Sequence, residues 1–212
     1  MKYTYYKSKL FREDCIVYER LIEAIHNCNK KITIDRNELF DIDLENEITK
    51  ILKCVEYDHP ELMHWNGDKF ILEIENKEQN KFCLNLFYKE ISEEKIKKNL
   101  EIIQKKENIK KDISKEINKD EKIWNICNAI KKSWNNRGDF EVSKNLAKCF
   151  KILCDLCNVN SIIVEGSSNE KENISHFWNM VILDRGLEEE RYNIDISEVV
   201  KQKNLETFQF KL

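Results

Sequence analysis

Three side chains near the end of this 212-residue chain have the types that a nucleophilic catalytic site requires. Ser143 offers a hydroxyl, His176 an imidazole that can take its proton, and Asp195 a carboxylate that can orient the imidazole. Such a site works only when nucleophile, base and carboxylate follow one another at hydrogen-bond distance. We therefore expect Ser143 to approach a ring nitrogen of His176 within about 4 Å, with Asp195 on the far side of the ring.

The elements predicted around these residues would bring them together. An apolar stripe predicts a helix over residues 143–157, with Ser143 as its N-cap. Free N–H groups and the helix dipole at such a terminus stabilise a thiolate and lower the pKa of a nucleophilic thiol. His176 begins one predicted strand, and Asp195 lies on the next, near a position that could oppose His176 in an antiparallel pair.

The rest of the chain shows a mixture of helical and strand periodicities. The other predicted helices are 12–29, 44–57 and 120–134, with one long helix or two over 91–117, and the predicted strands are 69–75, 81–88, 161–164, 176–183 and 192–196. The stripe of the first helix is Ile16, Leu21, Ile22 and Ile25, and Asp120 is a possible N-cap of the last of these helices. Gly166 is expected to end the strand 161–164, and a turn is expected at 134–139.

Four motifs in the last third of the chain occur in a recognisable order. They are Glu141-Val142-Ser143-Lys144-Asn145-Leu146-Ala147, then Ile162 to Gly166, then His176-Phe177-Trp178-Asn179, then Tyr192-Asn193-Ile194-Asp195. This region resembles the catalytic core of bacterial transglutaminase-like domains, which read Gly-x-Cys-x-Gly-Tyr-Ala, a strand with a glycine, His-x-Trp-Asn and Tyr-x-x-Asp. A weaker likeness links the segment 58–62 to a segment found upstream in some clostridial relatives.

The resemblance implies an α+β fold with a papain-like core, in which a central helix packs on an antiparallel sheet. This core would span residues 119–212, after a helical and β-hairpin region over residues 1–118. Ser143 would occupy the nucleophile position, His176 would be the base and Asp195 its orienter. Trp178 and Asn179 would be walls of the site.

The nucleophile motif of this chain departs from the family pattern at four places. Glu141, Ser143, Asn145 and Leu146 stand where the family has Gly, Cys, Gly and Tyr, and Glu198 stands where it has Trp. A hydroxyl is a far weaker acid than a thiol, so Ser143 would depend wholly on His176 as general base. We expect a catalytically degenerate domain that binds a protein or peptide. The alternatives are an active acyl-transfer enzyme, either a protein-glutamine transferase or a peptide or isopeptide hydrolase, and a purely structural domain.

Composition gives no sign of other partners. The net charge is −3, from 36 basic and 39 acidic residues, which provides no drive toward nucleic acid or anionic membranes. No apolar run of signal-peptide or membrane-helix length occurs, so we expect a cytoplasmic protein with reduced thiols. We expect no cofactor and no metal. Cys154-x-x-Cys157 is interpreted as core, and His59 and His64 as part of a turn.

Overall fold

The chain forms two compact units, residues 4–99 and 100–212, here called the N-terminal and C-terminal units. A computed structural model describes residues 4–27, 29, 31–35, 38–39, 43–65, 72–78, 81–86, 118–133, 142–167, 175–184 and 189–201. The predicted helix 91–117 and the turn at 134–139 lie outside these residues. The boundary predicted between residues 118 and 119 stays a prediction.

The described part of the N-terminal unit contains helices and a three-stranded antiparallel sheet of order β1-β3-β2. Its elements are a 3-10 turn at Lys7–Lys9, α1 at Arg12–His26, β1 at Lys31–Asp35, α2 at Leu44–Asp58, α3 at Pro60–Trp65, β2 at Leu72–Glu78 and β3 at Lys81–Leu86. The predicted pairing of β2 with β3 is confirmed, whereas β1 was not predicted. Ile16 is 50% exposed, so its predicted place on the buried stripe of α1 is wrong. Val17 and Tyr18, with Leu21 and Ile25, are buried instead.

A buried carboxylate at the end of α2 holds the start of the N-terminal unit. Asp58 is 1% exposed, and its Oδ1 accepts a hydrogen bond from the Tyr6 amide at 2.9 Å. Its Oδ2 accepts from the Lys7 amide at 2.8 Å and from the Tyr18 hydroxyl at 3.0 Å. Because three donors satisfy this buried charge, Asp58 has a structural role in the segment 58–62.

The C-terminal unit places helices against a second three-stranded antiparallel sheet, of order β4-β5-β6. Its described elements are α4 at Lys119–Ser133, α5 at Val142–Leu156, β4 at Asn160–Ser167, β5 at Ser175–Asp184, β6 at Glu189–Ile194 and α6 at Ile196–Lys201. Asn118, rather than Asp120, caps α4, because Asn118 Oδ1 accepts from the Asp120 amide at 3.0 Å. The described residues of the two units thus form helices and antiparallel sheets, which is an α+β fold.

The middle strand, β5, has two faces of different character. Side chains of successive strand residues point to opposite sides of a sheet. Phe177, Asn179, Val181 and Leu183 are buried on one side, which we call the core face. His176, Trp178 and Met180 are half-buried on the other side, which we call the site face.

The core face packs against one continuous apolar cluster. Leu146, Phe150 and Leu153 of α5 meet Val181 and Leu183 of β5 in this cluster. Helix α4 adds apolar side chains such as those of Ile123, Ile126 and Ile130. The apolar stripe predicted for α5 is buried at every position, which confirms that part of the prediction; its residues are Leu146, Ala147, Phe150, Leu153, Cys154 and Cys157. None of the described helices is long and apolar enough to cross a membrane.

Three predicted boundaries in the C-terminal unit are wrong, and each affects the candidate site. Helix α5 begins at Val142, so Ser143 lies in its first turn and is not the N-cap. Strand β4 continues through Gly166, which pairs with His176. Asp195 follows the end of β6 at Ile194 and precedes α6, so it does not lie within a strand.

Gly166 is the residue whose substitution should disturb the site face most directly. A Cβ atom at Gly166 would lie 2.6 Å from Trp178 Cη2 and 2.9 Å from Trp178 Cζ3. We therefore expect Gly166→Ala to lower the free energy of unfolding by about 1–3 kcal/mol, measured by urea denaturation. In a Trp178→Phe background, which lacks those ring atoms, the same change should cost much less. An equal cost in both backgrounds would place the strain elsewhere.

Candidate functional site

The structure brings His176 and Asp195 into direct contact. His176 Nε2 lies 2.5 Å from Asp195 Oδ2. The side chains are 32% and 27% exposed, so the pair is accessible from the surface. A carboxylate accepts only, so Nε2 donates, and the Nδ1 atom of the same ring remains for another partner. The predicted contact between His176 and Asp195 is therefore present, and their roles as base and orienting carboxylate stay predictions.

The position of Asp195 follows from its role at the start of α6. Its Oδ1 accepts hydrogen bonds from the Ser197 amide at 2.9 Å, the Ser197 hydroxyl at 2.6 Å and the Glu198 amide at 3.4 Å. These are the bonds of an N-cap, which satisfies amides that have no partner inside the helix. One carboxylate oxygen thus caps a helix while the other faces the histidine.

Trp178 supports the histidine from the neighbouring position on the same face. The two rings are nearly parallel, with an interplanar angle of 25° and centroids 6.1 Å apart. Trp178 Nε1 donates to Asn193 Oδ1 at 3.3 Å, which fastens the indole to β6. The close approach at Gly166 holds the other end of the ring system. Its predicted place beside the histidine agrees with this arrangement, while contact with a ligand stays a prediction.

Asn179 links β5 to α5 from the core face. It is fully buried, and its Nδ2 donates to the carbonyl oxygen of Ala147 at 3.0 Å. Its Oδ1 is buried and has no hydrogen-bond partner among the described residues. This placement gives Asn179 a role in fixing the helix on the sheet, and its predicted role as a wall of the site stays a prediction.

Ser143 lies where the first turn of α5 passes the beginning of β5. Lys144 Nζ is 5.5 Å from the centre of the Phe177 ring, and these two residues are the chain neighbours of Ser143 and His176. The helix contacts the core face, however, whereas His176 lies on the site face. Among its described contacts, His176 is hydrogen-bonded to Asp195 and not to the Ser143 hydroxyl. The predicted approach of Ser143 to His176 stays a prediction.

Three of the described cysteines, Cys127, Cys154 and Cys157, lie in the apolar cluster. Cys154 and Cys157 are buried in the cluster under the sheet, as predicted. Burial raises the pKa of Cys127 to about 12 and raises the pKa of Cys154 well above its usual value. Within the residues that the structure describes, no group of three or more His, Cys, Asp or Glu side chains is placed to hold a metal ion.

Two supports of the site could not be identified as such from the sequence. Asn193 holds the indole of Trp178, but a polar residue at a half-exposed strand position carries no signal of its own. Ser197 donates to Asp195, and the signal that could have revealed it is the helix start at Asp195. An Asp before an amphipathic run such as Ile196 to Val200 is a common N-cap pattern.

Comparison with known proteins adds no assignment. No family model matches the sequence, and no curated protein matches it.

The buried thiols should be inert in the folded protein. At pH 8 a thiol with a pKa near 12 is ionised to about one part in ten thousand, and only the thiolate reacts. We expect iodoacetamide to leave Cys127 and Cys154 unmodified while it alkylates the partly exposed Cys149, as read by peptide mass spectrometry. Unfolding in guanidinium should make all of them react. Early modification of Cys154 in the native protein would contradict its placement in the core.

Proposed function

We propose that the C-terminal unit is a transglutaminase-like domain of papain-like fold that binds a protein or peptide at the site face and is catalytically degenerate. The observation that carries this proposal is the contact between His176 and Asp195. The two residues come from the His-x-Trp-Asn motif of β5 and the Tyr-x-x-Asp motif at the end of β6, and these motifs meet where Asn179 pairs with Ile194. That is the arrangement which the resemblance implies.

The exposure of the pair argues for a ligand rather than for stability alone. A contact between a histidine and a carboxylate that is about one-third exposed contributes at most roughly 1 kcal/mol to stability, because water competes for both groups. The pair also lies beside an aromatic ring, Trp178, that is half-buried and held from both ends. A polar pair next to a rigid aromatic surface is suited to an amide group and the apolar part of a side chain.

The chemistry of Ser143 argues against efficient catalysis. The N-terminus of a helix stabilises a negative charge by about 0.3–2 kcal/mol. This lowers the pKa of a nearby acidic group by about one unit. That is sufficient to shift a thiol into the neutral range, but a hydroxyl stays protonated. Ser143 would need a hydrogen bond to His176, and the described partner of His176 is Asp195. The first turn of α5 moreover lies toward the core face.

The second candidate is acyl transfer by Ser143, and the free nitrogen of His176 favours it. With Nε2 engaged by Asp195, Nδ1 would accept the Ser143 proton while Oγ attacks a Gln carboxamide or peptide carbonyl carbon. The C–N bond breaks, the leaving amine takes the proton from the imidazolium, and an acyl-enzyme remains. Water or a second amine then repeats these steps in reverse and releases the acid or the new amide.

Ser143→Cys tests whether the nucleophile position faces His176. If it does, the introduced thiol should react with iodoacetamide at pH 6.5 at least about tenfold faster than in the double variant Ser143→Cys/His176→Ala, because a nearby imidazole and a helix terminus lower its pKa. Peptide mass spectrometry separates its rate from that of Cys149. Equal rates in two folded variants would contradict the alignment of Ser143 with His176. Hydrolysis of 4-nitrophenyl acetate by the unmodified chain, lost in both Ser143→Ala and His176→Ala, would instead favour the enzyme.

Peptide binding is tested with carbobenzoxy-glutaminyl-glycine as the probe. In NMR titrations we expect the Trp178 Nε1–H and the His176 ring signals to shift together, because both belong to the site face. Trp178→Ala should abolish the shift at His176, while Trp124→Phe, in the helix α4, should not. No shift of either signal at millimolar peptide would contradict binding of this class of ligand and favour the purely structural domain.

A further inference from the structure

We propose that Ser197 is a positioning residue, whose hydroxyl holds Asp195 in the orientation that fixes the tautomer of His176. The inference deepens the proposed function and rests on it for any catalytic or binding meaning. The geometry of the three side chains carries it independently of the identity of the ligand.

The two oxygens of Asp195 have separate tasks. Oδ1 receives every donor from α6, namely the Ser197 hydroxyl at 2.6 Å, the Ser197 amide at 2.9 Å and the Glu198 amide at 3.4 Å. Oδ2 receives His176 Nε2 at 2.5 Å. Ser197 is 7% exposed, so water competes poorly for its hydroxyl. The side-chain bond of Ser197 is also the shortest of the three that Oδ1 accepts.

The Ser197 hydroxyl restricts the orientation of the Asp195 carboxylate in a way that the helix amides alone do not. Any residue at position 197 would present a backbone N–H to Asp195, because the amide belongs to the first turn of α6. The last torsion of an Asp side chain is broad, so two amides on one oxygen leave the carboxylate plane loosely defined. A charge-assisted O–H donor from a third direction narrows that freedom. Oδ2 is then kept in line with Nε2.

The orientation of Asp195 determines whether Nδ1, the other nitrogen of the His176 ring, carries a proton. A carboxylate held against Nε2 keeps the proton on that atom and leaves the lone pair on Nδ1. If the carboxylate turns, both tautomers become populated and Nδ1 is no longer a dependable acceptor. Ser197 thus acts on the site through Asp195 without touching a ligand.

Nitrogen-15 NMR of the imidazole rings tests this directly. The chain has four histidines, so the signals of His176 are assigned by their loss in His176→Gln. In the unmodified protein we expect the Nε2–H tautomer to dominate. Ser197→Ala should raise the population of the other tautomer about three- to tenfold, because one charge-assisted bond is lost. Ser197→Thr, which keeps the hydroxyl, should restore the original ratio, and Ser175→Ala at the exposed start of β5 should leave it unchanged.

A structural role alone gives a different pattern. If Ser197 only stabilises α6, Ser197→Ala lowers the thermal midpoint but leaves the tautomer ratio of His176 unchanged, and this result would overturn the proposal. Should Ser197→Ala not fold, Ser197→Cys retains the size with a weaker donor. The tautomer ratio of His176 in Ser197→Cys should then lie between the ratio in the unmodified chain and the ratio in Asp195→Ala, where the ring has lost its carboxylate. A ratio equal to that of the unmodified chain would again overturn it.

A second measurement separates this inference from the proposed function. In the Ser143→Cys background, adding Ser197→Ala should slow alkylation at pH 6.5 about three- to tenfold, and adding Ser197→Thr should not. If Ser143→Cys itself shows no rate enhancement that depends on His176, the proposed alignment of the nucleophile fails. The tautomer ratio still decides whether Ser197 positions Asp195.

Discussion

The alternation of side chains along β5 is the constraint on which the C-terminal unit depends. Odd-numbered residues such as Val181 and Leu183 complete the apolar core, while His176 and Trp178 face the other way. A slip of one residue in the pairing with β4 or β6 would turn the imidazole into the core and expose the apolar side chains. Burial of the core face therefore fixes the register, and the register places the site. The positions of His176 and Trp178 are thus set by apolar packing on the opposite face of the strand.

Asp195 shows how local helix chemistry completes what the sheet begins. A strand end followed directly by a helix leaves amides that need an acceptor, and an Asp side chain supplies it. Because a carboxylate has two oxygens, one can satisfy the helix while the other remains available to His176. The same residue thus follows β6, caps α6 and contacts the imidazole. This arrangement needs no additional buried charge, and the site stays half-exposed.

The sequence was most informative where periodicity is strong. The amphipathic pattern predicted α5 and its buried residues, and the β-branched and aromatic runs predicted β2, β3 and β5. The faces of short or irregular elements were harder to assign. Strand β1 has five residues and only two buried side chains, so its alternation is too brief to recognise. Ile16 was placed on the wrong face of α1, since Val17 and Tyr18 compete with it for the same stripe.

The candidate site was predictable in part from its motifs. The motif order pointed to His176 and Asp195, and their predicted contact is present just beyond the paired part of β5 and β6. The helix start at Asp195 was missed because an Asp there was assigned to the preceding strand, although Asp is rare within strands. Asn179 was assigned to the site by its motif, and the structure shows in addition that its amide donates to the Ala147 carbonyl from the core face. A motif conveys which residues occur together, whereas the pleat decides which of them share a face.

The position of Ser143 allows the two properties of a nucleophile, its placement and its acidity, to be considered separately. Placement comes from α5, whose first turn meets the beginning of β5 at Lys144 and Phe177. Acidity comes from the atom itself, since the pKa of a hydroxyl lies far above the range into which a helix dipole can bring it. A scaffold can therefore keep its histidine and carboxylate in register while it lacks a competent attacking atom. The His176–Asp195 pair keeps its geometry in such a scaffold whatever atom stands at position 143, because the sheet register and the N-cap of α6 hold the two side chains.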